Sequence, residues 1–524
     1  MDSKQLLILL LVLTVCPRAT SELQPPCPYT CHCFTTSQIL CAEERMASLP
    51  SNMSKQVKEF IVMTSSVAYL FPNSLDGCPQ LTKLVFLNNA LRSIHVRAFE
   101  NLTELQELEI SGNPSLDNLL LGTFSRQRNL TKLLLNFNKF KTVLPGMFDG
   151  LKQLKTLQLK GNIISHLPEF LFFNLGNLEI LDLSQNKLEQ VKTDTFAGLS
   201  KLEILKLNYN FISNISFDIF HNVSRLTELN LEGNKISELP DGVFSALTNL
   251  TVLNLRGNRL RTFSDKVFDL NVPNLLELNL KGNRLAELSS LSSLLSLTDL
   301  ILSSNHLSYL PEDTFTNLTL LENLDLSENQ LTFLPEGIFN GLLTLKTLHL
   351  QTNNLTNVPP NLLVDQELVQ QLYLSNNQLE TIPSGLFDTF LLEHTVRLHG
   401  NPWKCDCRMW YLHDWVRRNS REVQMLDRVF CLSPDFLRGR TVVSVDQIQL
   451  VCPVSTHLPP DVSHCSLQTF NDTMIMKCNV DQCSPLTVKL QFEEEGKIVK
   501  EHVFKNEPEL SRCRNDTRGE KDRL

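Results

Sequence analysis

The sequence predicts an α/β repeat solenoid, a curved horseshoe with a parallel sheet on its concave face and disulfide-stapled caps at both ends. Three observations predict it. An asparagine returns at a fixed period, leucines keep a constant register to it, and cysteines cluster at both ends of the periodic stretch. The asparagines stand at 89, 113, 138, 162, 186, 210, 234, 258, 283, 305, 329, 353, 377 and 401. Their spacing is 24 residues apart from two intervals of 25 and one of 22. Around each the chain reads L-x-x-L-x-L-x-x-N-x-L, as in Leu178, Leu181, Leu183, Asn186, Leu188 and in Leu321, Leu324, Leu326, Asn329, Leu331.

Each position has a physical role. The L-x-L core is a short strand that turns its leucines inward and the flanking residues outward. One turn cannot bury its own leucines, so neighbouring turns stack into a continuous core. Where the chain leaves the strand, backbone groups are sealed from water, and the asparagine amide supplies both a donor and an acceptor for them. A second ladder lies about ten residues further on: Phe99, Phe124, Phe148, Phe172, Phe196, Phe220, Phe244, Phe268, Phe315, Phe339 and Phe387. It predicts an aromatic spine under the convex side. The turn after Leu285 is two residues short, with Ser293 in the phenylalanine slot, and predicts a local kink. Val57 to Val67 reads as a degenerate first turn with Ser65 in place of asparagine, which brings the number of repeats to about fifteen.

The remaining segments divide the chain as 1–21 signal peptide, 22–50 N-terminal cap, 51–400 repeats, 401–453 C-terminal cap and 454–524 tail module. Lys4, the ten-residue apolar stretch Leu6 to Val15 and the small residues Ala19, Thr20 and Ser21 read as a cleaved secretion signal. No later stretch reaches 18 apolar residues, which predicts a secreted, extracellular product without a membrane span or lipid anchor. The net charge of −9 and pI near 5.8 disfavour nucleic acid and anionic membranes as partners. In the tail, Thr473–Lys477 and Leu486–Phe492 alternate like strands, and Cys465, Cys478, Cys483 and Cys513 can form two disulfides, so a small β-rich module is expected.

Cys27-Pro28-x-x-Cys31-x-Cys33 with Cys41, and Asn401-Pro402-Trp403-Lys404-Cys405-Asp406-Cys407 with Cys431 and Cys452, resemble the two caps of extracellular leucine-rich-repeat proteins. The resemblance implies the bonds Cys27–Cys33, Cys31–Cys41, Cys405–Cys431 and Cys407–Cys452, a choice that spacing alone leaves open. Further stretches are Leu81-Thr82-Lys83-Leu84-Val85-Phe86-Leu87-Asn88, Leu133-Leu134-Leu135-Asn136-Phe137-Asn138, Gln449-Leu450-Val451-Cys452-Pro453-Val454 and Cys478-Asn479-Val480-Asp481-Gln482-Cys483. These resemble the large, non-catalytic regulatory subunits of plasma carboxypeptidase N. That resemblance fades beyond about Glu494. It implies a glycosylated solenoid that binds and stabilises a zinc carboxypeptidase, within a higher-order hetero-oligomer. The alternative reading is a secreted adhesion, signalling or pattern-recognition ligand.

No spacing of an active site is found: H-E-x-x-H, a phosphate-cradling glycine loop and G-x-S-x-G are all absent. The chain is therefore expected to be no enzyme and to need no cofactor or metal. His394 and His399 flank the last strand without a carboxylate cluster tied to them, and Cys78 occupies the slot that Leu102 fills one turn later, which reads as a buried apolar cysteine. Ten N-x-S/T sequons stand at Asn52, Asn101, Asn129, Asn214, Asn222, Asn249, Asn317, Asn354, Asn471 and Asn515. Asn101, Asn222 and Asn317 follow a ladder asparagine by twelve residues, so glycans are expected on the back and flanks. The strand face stays open for a partner. Its middle rows are polar (Glu228, Asn230, Glu232; Val252, Asn254, Arg256; Glu277, Asn279, Lys281), whereas Ile61, Met63, Val85, Leu87 and Leu134 form an apolar N-terminal set, interrupted by Glu107, Glu109 and Ser111. Apolar side chains grouped on a surface mark contact sites, so these five are the candidate partner-binding residues.

Overall fold

Short strands recur once per turn because only the L-x-L portion of each repeat has two inward leucines to hold it flat against its neighbours. The computed structural model describes residues 27–51, 53–269 and 274–452, together with the backbone of 465–470, 473–478, 486–494 and 497–506. The predicted signal segment lies outside the described residues. The chain forms a parallel-strand solenoid and divides into two compact units, 1–226 and 227–524.

The first unit opens with an antiparallel hairpin, Cys31–Thr35 with Gln38–Cys41. Its second strand pairs in parallel with Glu59–Met63, which in turn pairs with Lys83–Leu87, and that strand with Glu107–Ser111. Lys132–Leu134, Thr156–Gln158, Ile180–Asp182 and Ile204–Lys206 continue the parallel ladder. Disulfides Cys27–Cys33 and Cys31–Cys41 cross-link the hairpin, whose inner strand pairs the edge of the first solenoid strand, so the open end of the leucine core meets a stapled cap.

The second unit repeats the arrangement in Glu228–Asn230, Val252–Asn254, Glu277–Asn279, Asp299–Ile301, Asn323–Asp325, Thr347–His349, Gln371–Tyr373 and Thr395–Arg397. Val423–Gln424 closes the sheet beside Thr395–Arg397. The α-helix Trp410–Arg418 sits in this closing segment. Its Trp415 packs 4.5 Å from Phe387, and disulfides Cys405–Cys431 and Cys407–Cys452 hold the flanking loops. The tail backbone forms two antiparallel pairs, Cys465–Phe470 with Thr473–Cys478 and Leu486–Glu494 with Lys497–Asn506, and the first register sets Cys465 opposite Cys478.

The interior follows the repeat. Leu181 and Leu183, Leu253 and Leu255, and Leu348 and Leu350 are fully buried. Each such leucine contributes about 1.5–3 kcal/mol. Asn186 is representative of the asparagine ladder. Its Nδ2 donates to the carbonyls of Leu159 and Leu183 at 2.9 and 3.1 Å, while its Oδ1 accepts the Ile164 N–H at 3.1 Å. Ser65 has no amide to offer and instead donates its N–H and hydroxyl to Asn89 Oδ1. The phenylalanines stack turn on turn, as in Phe148 on Phe172 at 6.3 Å and Phe315 on Phe339 at 6.3 Å. At the short turn, Glu277 and Asp299 stay in parallel register, and Asn305 still bonds to Leu280 and Leu285 across it. Leu291 and Leu294 are buried where the phenylalanine is missing.

A further periodic feature lies just before each ladder position. Thr64, Asn88, Gly112, Phe137, Gly161, Gln185 and Tyr209 all have positive φ, between 51° and 71°. The left-handed residue bends the chain out of the sheet after each strand. Where one turn carries a large side chain there, the next can carry glycine: a Cβ on Gly161 would run into the Phe137 ring, and one on Gly112 into the Asn88 amide.

Candidate functional site

Outward positions on the strands are released from the core, so the sheet face is where side-chain chemistry is free to vary. In the first unit the register sets Ile61 beside Val85 and Met63 beside Leu87. These four come together. Ile61, Met63 and Leu87 are half-buried, whereas Val85 is only 8% exposed, less open than a contact residue was expected to be. Leu134 is not part of the group, because Glu109 stands between it and Val85. The Glu107 carboxylate is itself held by Lys83 at 3.4 Å, which borders the apolar group with an ion pair.

In the second unit the same face is mostly polar, with Val252 and Ile301 among its outward positions. Arg256 lies 3.6 Å from Glu232, and Asn254 Nδ2 donates to that carboxylate at 3.3 Å. Burial, with Asp299 and Glu228 nearby, pushes the Glu277 carboxyl above its ordinary value. Asn323 donates to Asp299 at 2.7 Å. Beyond this, four consecutive turns place Asp325, His349, Tyr373 and Arg397 in one row. His349 stacks on Tyr373 at 4.4 Å, and the Arg397 guanidinium covers the other side of the Tyr373 ring at 3.9 Å. His349 Nε2, Gln351 Oε1 and His399 Nδ1 are buried without a partner. Burial holds the His349 pKa below 6.5. Sequence reasoning missed this row, although its signal was present: position four before the ladder asparagine is aromatic or charged in four successive copies.

Seven of the ten sequon asparagines, at 101, 129, 214, 222, 249, 317 and 354, are exposed, while Asn52, Asn471 and Asn515 lie outside the residues whose side chains are described. Ladder Asn113, which precedes Pro114, is fully buried. Cys78 is also fully buried, 3.9 Å from Met53 Sδ, and burial raises its thiol to about 11, so it is protonated at neutral pH. His394 stacks on Trp415 with ring centroids 5.9 Å apart, and its Nδ1 lies 2.9 Å from the Leu392 carbonyl. A shallow cleft between two turns is lined by Arg97, Glu100, Arg126 and Gln127, with Arg97 and Glu100 already paired at 2.7 Å. Among the described residues no group of three His, Cys, Asp or Glu side chains is placed to hold a metal, and no helix is long and apolar enough to cross a membrane.

Comparison with known proteins agrees with the geometry. The leucine-rich-repeat family model matches residues 113–164, 128–188, 152–212, 176–236, 224–285, 295–343 and 319–379. Carboxypeptidase N subunit 2 of Homo sapiens is 36% identical over 130 residues, which is 20% of this chain and 24% of that protein. The match thus spans about a quarter of that relative's length. A leucine-rich-repeat protein of Leptospira interrogans is 30% identical with a TM-score of 0.64, covering 72% of this chain and 93% of the other. The glycosylated Toll–Spatzle complex of Drosophila contains a chain 25% identical with a TM-score of 0.73, covering 84% of this chain and 61% of that one.

Proposed function

The chain belongs to the leucine-rich-repeat family, and within that family we propose that it is a secreted, glycosylated, non-catalytic subunit that binds and stabilises a plasma zinc carboxypeptidase. The identity to carboxypeptidase N subunit 2 carries this reading. A strand face with variable side chains on a fixed backbone suits it, since such a face can be tuned to one partner without disturbing the leucine core. The partner's stabilisation follows from mass action: a binder of the folded state adds about 2.7 kcal/mol at a hundredfold excess over Kd. Ile61, Met63, Val85 and Leu87 contribute the apolar part of the contact, and the exposed sequons carry glycans away from it.

Immunoprecipitation of the chain from plasma tests the reading. The pellet is expected to remove C-terminal Lys or Arg from a peptide and to lose that activity with a zinc chelator, the activity residing in a second chain. A pellet without it discards the carboxypeptidase and favours a signalling or recognition ligand, the reading to which the likeness to Toll points. For the contact itself, Leu87→Glu should weaken capture of the carboxypeptidase at least about tenfold, as loss of a well-packed apolar contact does. Unchanged capture by a normally secreted variant removes this patch from the interface.

A further inference from the structure

Arg397 differs from three other cations of the second unit. Arg256 finds Glu232, Lys346 finds Glu322 and Lys404 finds Glu380, each on a neighbouring turn. Arg397 is half-buried, and among the described residues it has no carboxylate. Its guanidinium is nevertheless held in place. The Tyr373 ring fixes its plane at 3.9 Å, and Nε donates to Gln424 Oε1 at 2.7 Å. That leaves the two terminal nitrogens as a pre-oriented pair of donors, the arrangement that matches a carboxylate with two parallel hydrogen bonds. Arg428 adds positive potential, since it and Arg397 both help burial hold the His399 pKa down.

The other end of the row has the opposite character. Asp325 accepts from Ser327. Asp299, which stands off the row beside Asn323 on the preceding strand whose Ile301 pairs with Asp325, accepts from Asn323; neither carboxylate has a cation beside it among the described residues. Three strand intervals separate Asp325 from Arg397, roughly 14 Å at about 4.8 Å each. His349 Nε2 and Gln351 Oε1, both unpartnered, lie between them on the same face. An extended chain of about four or five residues covers that distance.

From this charge pattern we infer that the strip Asp299, Asp325, His349, Tyr373 and Arg397 docks an extended segment of the partner protein, with an acidic side chain on Arg397 and a basic one over the aspartates. This rests on the carboxypeptidase reading and names a second contact for the same partner. The stacked arginine is the anchor, and the aspartates set the direction in which the segment lies. Charge-complementary contacts of this kind govern orientation and on-rate as well as affinity.

The test uses the full-length glycosylated chain, immobilised, with purified catalytic subunit of carboxypeptidase N as the probe at two salt concentrations. Arg397→Gln should raise Kd about thirtyfold or more, as loss of one member of a desolvated charge pair does. Arg397→Lys keeps the charge but loses the fork and the stacking, and should recover only part of the affinity. Asp325→Asn should weaken binding less and flatten its salt dependence. Binding by Arg397→Gln within about twofold of the unaltered chain, with an unchanged unfolding midpoint, overturns the inference and leaves the carboxypeptidase reading standing. Failure of the unaltered chain to bind the probe overturns both. If Arg397→Gln unfolds early, equal affinity of the Arg397→Lys and unaltered chains is the result that refutes the anchor.

Discussion

In the first unit the strand Lys83–Leu87 turns Val85 and Leu87 outward, beside Ile61 and Met63 of the preceding turn. In the second unit the corresponding positions of four turns carry Asp325, His349, Tyr373 and Arg397. The backbone is the same in both: parallel strands in register, leucines inward, and a left-handed residue ahead of the ladder position. The solenoid thus separates the demands of the core from the chemistry of its face by the alternation of the strand. Inward positions answer to the stack and can hardly vary, because every turn borrows its neighbours' surface. Outward positions answer to whatever lies in front of the sheet, so one unit can present an apolar group and the other a charged strip.

If that separation holds, inward substitutions should cost the same in both units. Leu157→Ala and Leu348→Ala, both at fully buried strand positions, should each destabilise by about 2–5 kcal/mol. Denaturant midpoints measure this, and a large inequality is incompatible with a common interior. The next effect should differ between two glycines at the same position of their turns. Gly161→Ala places a methyl in the Phe137 ring, whereas Gly257→Ala meets only Gly233 at an ordinary 3.6 Å. Both residues have positive φ, 69° and 66°, so both incur the left-handed penalty of roughly 1–2 kcal/mol. Only Gly161→Ala should cost more than that, and Phe137→Ala in the same chain should recover the excess.

The smallest effect is a pH dependence confined to the second unit's face. His349 has a folded pKa held below 6.5, so below that value the unfolded chain takes up a proton that the folded chain resists. Stability is therefore full above about 6.5 and declines as the pH falls from there toward the folded pKa. His399 acts in the same direction. His349→Gln should flatten the dependence between about pH 7.5 and 5.5 in a series of denaturant midpoints, a slope that the apolar face of Ile61 and Met63 cannot produce. An unchanged slope assigns the dependence elsewhere.

Much of the interior was legible in the sequence. The asparagine register named the buried amides from Asn89 to Asn401, and the phenylalanine ladder named a spine whose members are buried from Phe99 to Phe387. Both are periodic in sequence because stacking imposes one environment at one interval. The face was less legible. Ile61, Met63, Val85 and Leu87 meet, and Glu109 cuts off Leu134 as the interrupting row implied, but the near-burial of Val85 did not follow from its outward position. The stack of His349, Tyr373 and Arg397 escaped sequence reasoning because its members lie 24 residues apart and look ordinary singly.

The turn, its inward leucines, its asparagine and its phenylalanine follow from the sequence alone, because each is demanded locally by burial and by the backbone groups that burial strands. Which outward side chains become neighbours was settled by tertiary structure, since strand pairing sets residues one turn apart side by side, at about 4.8 Å. At that spacing a lone histidine, tyrosine and arginine become one stacked surface, and a valine in an apolar row becomes nearly buried.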